Sequence, residues 1–196
     1  KVEEKPQPAS SVISIDWFET KFQQVLAKIN KDYDNFRFSE ILMSCYRLMW
    51  DDFCSWYLEM VKPAFGDSID SKTYASTIKF FEDLMKTLHP FIPFITEEVW
   101  QSLEDRKPNE ALVISNWVEE KQLDTAILSE FEVAEKIITE VRTIRKQKNI
   151  PQKNSLQAFY HGEISNFFFP IVTKLCNITQ LEATTDKVEN AFSFIV

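Results

Sequence analysis

Apolar residues recur at spacings of three and four over the first two thirds of the chain, the pattern of helices with one buried face. Between Asp16 and Lys31, the residues Trp17, Phe22, Val25, Leu26 and Ile29 fall largely on one stripe, with Ser14 or Asp16 available as a cap. The turn NKDYDNFRF separates this helix from the clearest one. There Phe38, Leu42, Cys45, Met49, Phe53, Trp56 and Met60 form a stripe, and Ile41, Tyr46, Leu48 and Tyr57 widen it beyond a coiled-coil seam. The spacing predicts a helix central in a bundle, with Ser39 as candidate N-cap and Pro63 and Gly66 as its stop. A third helix is predicted from about Ser71 to Leu88, with Tyr74, Ile78, Phe81, Leu84 and Met85 inward.

Pro90 and Pro93 forbid an uninterrupted helix through HPFIPFITEEVWQSL, because each lacks a backbone N–H and restricts the residue before it. Thr96, followed by Glu97 and Glu98, reads as a capped restart with acids at the positive end of the helix dipole. The prolines then fix an elbow, and Phe91, Phe94 and Ile95 are expected to plug the bundle. Leu103 to Trp117 reads as a loop with room for a brief strand. Asp124 to Asn149 is a long helix with Ile127, Phe131, Ala134, Ile138 and Val141 in one row, stopped by Pro151. Beyond it the period changes. SLQAFY alternates like a strand, Ile164 to Cys176 reads as a helix kinked or divided by Pro170, and NITQLEA and AFSFIV read as further strands. The expected fold is mainly α: an antiparallel helical bundle over residues 13–122, then a long basic-ended helix and a small α/β appendix over 123–196, with 1–12 as a disordered lead or the edge of a cloned piece.

The composition agrees with a helical chain. It has 17 Phe for a core but only 2 Gly, too few for a barrel rich in tight turns. A formal net charge of -8 argues against nucleic-acid binding over the whole surface, yet leaves room for a local basic patch. Cys45 and Cys54 share one predicted helix at about 13 Å, too far for a disulfide. With no Cys-x-x-Cys or His cluster, the three cysteines read as buried apolar residues in a reduced compartment. No signal peptide and no run of ~20 apolar residues suggests a membrane.

The strongest candidate chemistry is one basic stretch. Arg142, Arg145, Lys146, Lys148 and Lys153 place five cations in twelve residues with no acid among them. Arg142, Arg145 and Lys146 lie three and four apart and share a helix face, which could follow a phosphate backbone. The competing reading is a solvated helix C-terminus, where cations are favoured anyway. Phe36 and Arg37, in the first interhelical turn, are a second candidate pair for RNA. The aromatic run Trp50, Phe53, Trp56 and Tyr57 could stack on bases, but its spacing favours core. No nucleophile–base pair, metal set or phosphate loop is visible, so an independent enzyme is disfavoured.

Two stretches carry a family resemblance: MWDDFCSWYLEMVKP at Met49 to Pro63 and LHPFIPFITEEVWQSL at Leu88 to Leu103. They resemble the valyl branch of class I aminoacyl-tRNA synthetases, with a departure at Ser55, where that family usually carries Asp. IITEVRTIRKQKNIPQK is a weaker match to the Arg-x-x-Arg helix that follows the family's bundle. The resemblance covers roughly Asp16 to Lys153 and implies a C-terminal anticodon-binding bundle that grips the anticodon stem-loop of a valine tRNA. The family's HIGH-like and KMSKS-like signatures do not occur in this sequence. The resemblance therefore implies a piece without catalysis or cofactor of its own, whose parent uses ATP and Mg in an upstream catalytic domain. It further implies a cytoplasmic, monomeric protein with no membrane association. An isoleucyl or leucyl anticodon domain, or a helical protein-interaction domain with no RNA role, are the alternatives.

Overall fold

A computed structural model describes residues 1–189 and 191–196. Helix α1 spans Ala9–Asp34, and after a turn α2 spans Phe38–Arg47. The chain continues without a break through a π-helical segment, Leu48–Tyr57, into α3, Leu58–Val61. Helices α4 (Ser71–Leu88) and α5 (Pro93–Leu103) complete the bundle, with a 3-10 turn at Leu112–Ile114. The long helix α6 is Ala126–Gln147, and strand β3 (Leu156–Tyr160), helix α7 (Phe169–Cys176) and strand β4 (Ile178–Ala183) form the appendix. The mainly α fold with a small α/β appendix is as expected.

The first residues are ordered, not a free lead. Val2–Glu3 forms a short strand, β1, parallel to β2 at Ile69–Asp70. Lys5 donates to the Ser68 carbonyl and Gln7 to the Thr73 hydroxyl. Helix α1 accordingly starts seven residues before Asp16. Its N-cap is Pro8, with no side-chain cap, and Ser14 lies inside the helix with its hydroxyl on the Ser10 carbonyl. Ser39 does not cap α2 either; that position is Arg37. The one side-chain cap of the bundle is Asp70, which accepts from the Thr73 N–H at 2.8 Å and fixes the start of α4.

The core centres on Phe18. Its ring lies 5.0–5.2 Å from those of Phe53, Tyr57 and Phe80, so α1, the π segment and α4 meet there. The central helix buries Ile41, Cys45, Leu48, Phe53, Tyr57 and Met60. The step from Leu48 to Phe53 is five residues, and it coincides with the onset of i→i+5 winding. The expected stripe keeps only Cys45, Phe53 and Met60 inside, while Phe38 and Leu42 are exposed. On α4, Tyr74 also faces out and Phe80 takes an inward place.

The elbow differs from expectation as well. Pro93 opens α5, and Thr96, buried within the first turn, donates to the Ile92 carbonyl and pairs with His89 Nδ1 at 2.8 Å. Thr96 therefore staples the elbow rather than capping a helix. Phe91 packs on the core, but Phe94 is 91% exposed and Ile95 also points out. Glu97 accepts from the Leu112 N–H and ties the 3-10 turn to α5, so no strand forms in that loop.

Helix α6 and the appendix share the bundle's core. The Trp17 ring lies tilted 4.4 Å from that of Phe131 of α6, and Phe131 lies 5.3 Å from Phe168 at the start of α7. Lys174 donates to the Met60 carbonyl at the end of α3. Pro170 sits in the first two positions of α7, where a missing N–H costs nothing, so it starts that helix instead of kinking it. Strands β3 and β4 pair in parallel around α7. The stretch AFSFIV forms no strand over residues 191–196.

Candidate nucleic-acid interface

The basic stretch does not form one exposed face. Val141 and Arg145 continue the buried row Phe131, Ala134 and Ile138 of α6, and Arg145 is only 4% exposed. Its guanidinium donates to the carbonyls of Pro151, Asn154 and Cys176 at 2.7–2.9 Å. It thus ties the turn after α6 to the negative C-terminal end of α7. Arg145 is a clamp between helix and appendix, not a surface cation, and the sequence reading is corrected there.

The neighbours are different. Arg142, Lys146, Lys148 and Lys153 are exposed. The Arg142 guanidinium lies 5.6 Å from the Trp56 ring, which holds it beside the π segment. Lys148 lies 4.5 Å from the Phe192 ring. Helix α6 ends on Asn149 in the left-handed conformation, and the Ile150 N–H reaches back to the Arg145 carbonyl. The chain turns sharply there, which places Lys146, Lys148 and Lys153 around one corner.

Phe36 and Arg37 sit at the matching corner of α1. The Arg37 N–H bonds to the Asp32 carbonyl and the Phe36 N–H to that of Tyr33, a Schellman closure with Phe36 at φ 56°. A bulky side chain at positive φ is strained, because its Cβ crowds the backbone. The ring is 78% exposed and lies edge-on to Phe38, 6.4 Å away, beside an exposed Arg37. This corner lies at the start of the central helix, whereas Arg142 packs near its end at Trp56. Eighteen residues at ~1.5 Å each put the two clusters roughly 25 Å apart, so they are separate contacts rather than one patch.

The middle of α6 has the opposite charge. A cavity of about 240 Å³ is lined by Trp17, Trp56, Asp51, Asp52, Glu132 and Glu135, with Lys21 among them. Burial pushes the Asp52 carboxyl up to about 6, against the Lys21 ammonium 3.8 Å away and with help from Asp51 and Glu135. Desolvation therefore outweighs the long ion pair. Burial also pushes the Cys45 and Cys176 thiols up to about 11, so neither is a nucleophile at neutral pH. Among the described residues, no group of three or more His, Cys, Asp or Glu could hold a metal ion, and no helix is long and apolar enough to cross a membrane.

Residues 16–160 match the family described as the anticodon-binding domain of tRNA ligase. The chain belongs to that family. Over 192 residues it is 44% identical to a valine–tRNA ligase of Christiangramia forsetii, a match covering 97% of this chain and 22% of that protein. A valine–tRNA ligase of Parabacteroides distasonis is 43% identical over 190 residues, with the same two shares. One from Bacillus thuringiensis is 30% identical over 197 residues, 95% of this chain and 22% of the relative. The chain thus spans 22% of the length of these relatives. As an anticodon-binding domain it carries the two solvent-exposed corners as its candidate RNA contacts. The family motifs from Met49 to Pro63 and Leu88 to Leu103 mostly build the scaffold between them.

Proposed function

We propose that this chain recognises the anticodon stem-loop of a valine tRNA as part of a valine–tRNA ligase. The observation that carries the reading is the similarity to valine–tRNA ligases over 97% of the chain. The aminoacylation itself, with ATP and Mg, belongs to the parts of such a ligase outside this region, in a cytoplasmic enzyme working as a monomer. Exposed cations at Arg142, Lys146, Lys148 and Lys153 supply phosphate contacts, and Phe36 with Arg37 offers a ring and a guanidinium to unstacked bases. Arg145 acts by holding the α6 corner in shape. The separation of the two clusters suits a partner longer than one nucleotide.

Titration of the chain with anticodon stem-loops of valine, isoleucine and leucine tRNAs tests this at low salt. The valine loop should bind at micromolar level and at least several-fold tighter than the others. Equal binding of all three would shift the reading to another branch of the family. No binding of any would remove the RNA role from this region alone.

A further inference from the structure

A surface feature unused by this reading is one side of the central helix. Phe38, Leu42, Met43, Tyr46 and Trp50 are each 41–59% exposed. At 3.6 residues per turn they occupy, with Ser39, one continuous side of α2 and the first turn of the π segment. Glu40 and Arg47 fall beyond that side, so the face itself bears no charge. Cys45 donates its thiol to the Thr87 carbonyl, which packs the middle of α2 on the end of α4. The elbow following α4 separately exposes Ile92, Phe94 and Ile95. An apolar surface of this extent is unusual for a free exterior and marks a covered one.

RNA is a poor occupant of such a face. A phosphate backbone needs cations, and none stands among these side chains. A packed helix fits better. The stripe Phe38, Leu42, Tyr46 and Trp50 repeats every four residues over roughly 18 Å, which is a ridge that interdigitates with a second helix. The relatives supply a source, since 22% of their length corresponds to this chain and the remainder lies outside the matched region. We infer that this face is the seat of an apolar helix from the part of the ligase chain outside these 196 residues. It makes the bundle an integral part of the larger enzyme instead of a tethered module. The inference rests on the proposed place of this chain within a longer ligase, and not on its contacts with tRNA.

The test uses the full-length ligase that carries this segment, without tRNA. Met43→Cys and Tyr46→Cys each place a thiol on the face, and Val113→Cys places one on the exposed 3-10 turn as a reference. Modification by a small maleimide is followed peptide by peptide in a mass spectrometer, which separates the new thiols from the native ones. Both thiols on the face should react at least tenfold more slowly than the reference, at every protein concentration. Rates equal to the reference would overturn the inference. Protection that appears only when tRNA is added would reassign the face to RNA. Protection that grows with protein concentration would reassign it to a second copy of the chain. The stem-loop titration stands or falls separately from all of these outcomes.

Discussion

Arg145 shows how one side chain changes meaning once its surroundings are known. In the chain it is one of five cations; in the fold its guanidinium satisfies three carbonyls, two of them in the turn after α6 and one at the end of α7. Arg145→Ala leaves these acceptors unpaired in a closed site and should cost about 3 kcal/mol. Arg145→Lys should recover only part of that, since one ammonium cannot span the fork. Lys146→Ala, one residue on but exposed, should stay within about 0.5 kcal/mol. Urea midpoints of the three variants decide it, and an unchanged midpoint for Arg145→Ala would contradict the clamp. Asp52 is a second residue whose surroundings dominate. Its folded pKa of about 6 lies above the ordinary 3.8, so folding takes up a proton between those values. Its contribution to stability is complete below the unfolded pKa and is lost as pH rises through about 6. Asp52→Asn should therefore stabilise the chain at pH 7, by about 1–3 kcal/mol, and flatten the pH dependence of the melting temperature between about 4 and 6. A variant that melts lower at pH 7 would show that the Lys21 pair matters more than burial.

At the scale of elements, the sequence is legible where local chemistry and periodicity agree. Helix α4 runs Ser71–Leu88 as expected, because Asp70 caps it and prolines follow it. Helix α6 lies within two residues of its expected bounds at either end. The central helix is where periodicity misleads. Two parallel stripes of apolar residues run along it, and nothing local says which is buried. The five-residue step from Leu48 to Phe53 then breaks any template of threes and fours, while i→i+5 winding keeps both residues inside. Tertiary packing against Phe18 selects that winding, and a sequence window cannot contain Phe18. The start of α1 was hidden for another reason: its first turns face the interior with Ser11 and Ser14, small polar residues that carry no apolar signal. Phe94 and Ile95 show the reverse error, apolarity taken for burial, although folded surfaces are apolar over more than half their area. The candidate site was legible as composition but not as shape. An acid-free cluster of cations can be counted in the chain, whereas the burial of Arg145 depends on Cys176, thirty-one residues away.

Across the whole molecule, charge is segregated along α6. Its first half carries Glu132 and Glu135 beside Asp51 and Asp52, and its last turns and the corner beyond carry Arg142, Lys146, Lys148 and Lys153. A polyanion is repelled by the one and attracted by the other, so under the proposed function the helix is expected to orient an RNA stem toward the corner despite a net charge of -8. The other corner, at Phe36, is proposed to act through stacking, which releases no counterions. The two contacts should thus separate in a salt titration of stem-loop binding. Replacing Lys146 and Lys148 together by Ala removes two phosphate contacts, and the slope of log K against log salt should fall in magnitude by about 1.4–1.8. Phe36→Ala should weaken binding by about tenfold with the slope unchanged, as expected for one lost stacked base. Lys107→Ala, on the exposed loop after α5, should change neither quantity. A slope untouched by the double Lys replacement would place the phosphate contacts elsewhere on the surface. A slope altered by Phe36→Ala would mean that this corner holds the backbone rather than a base.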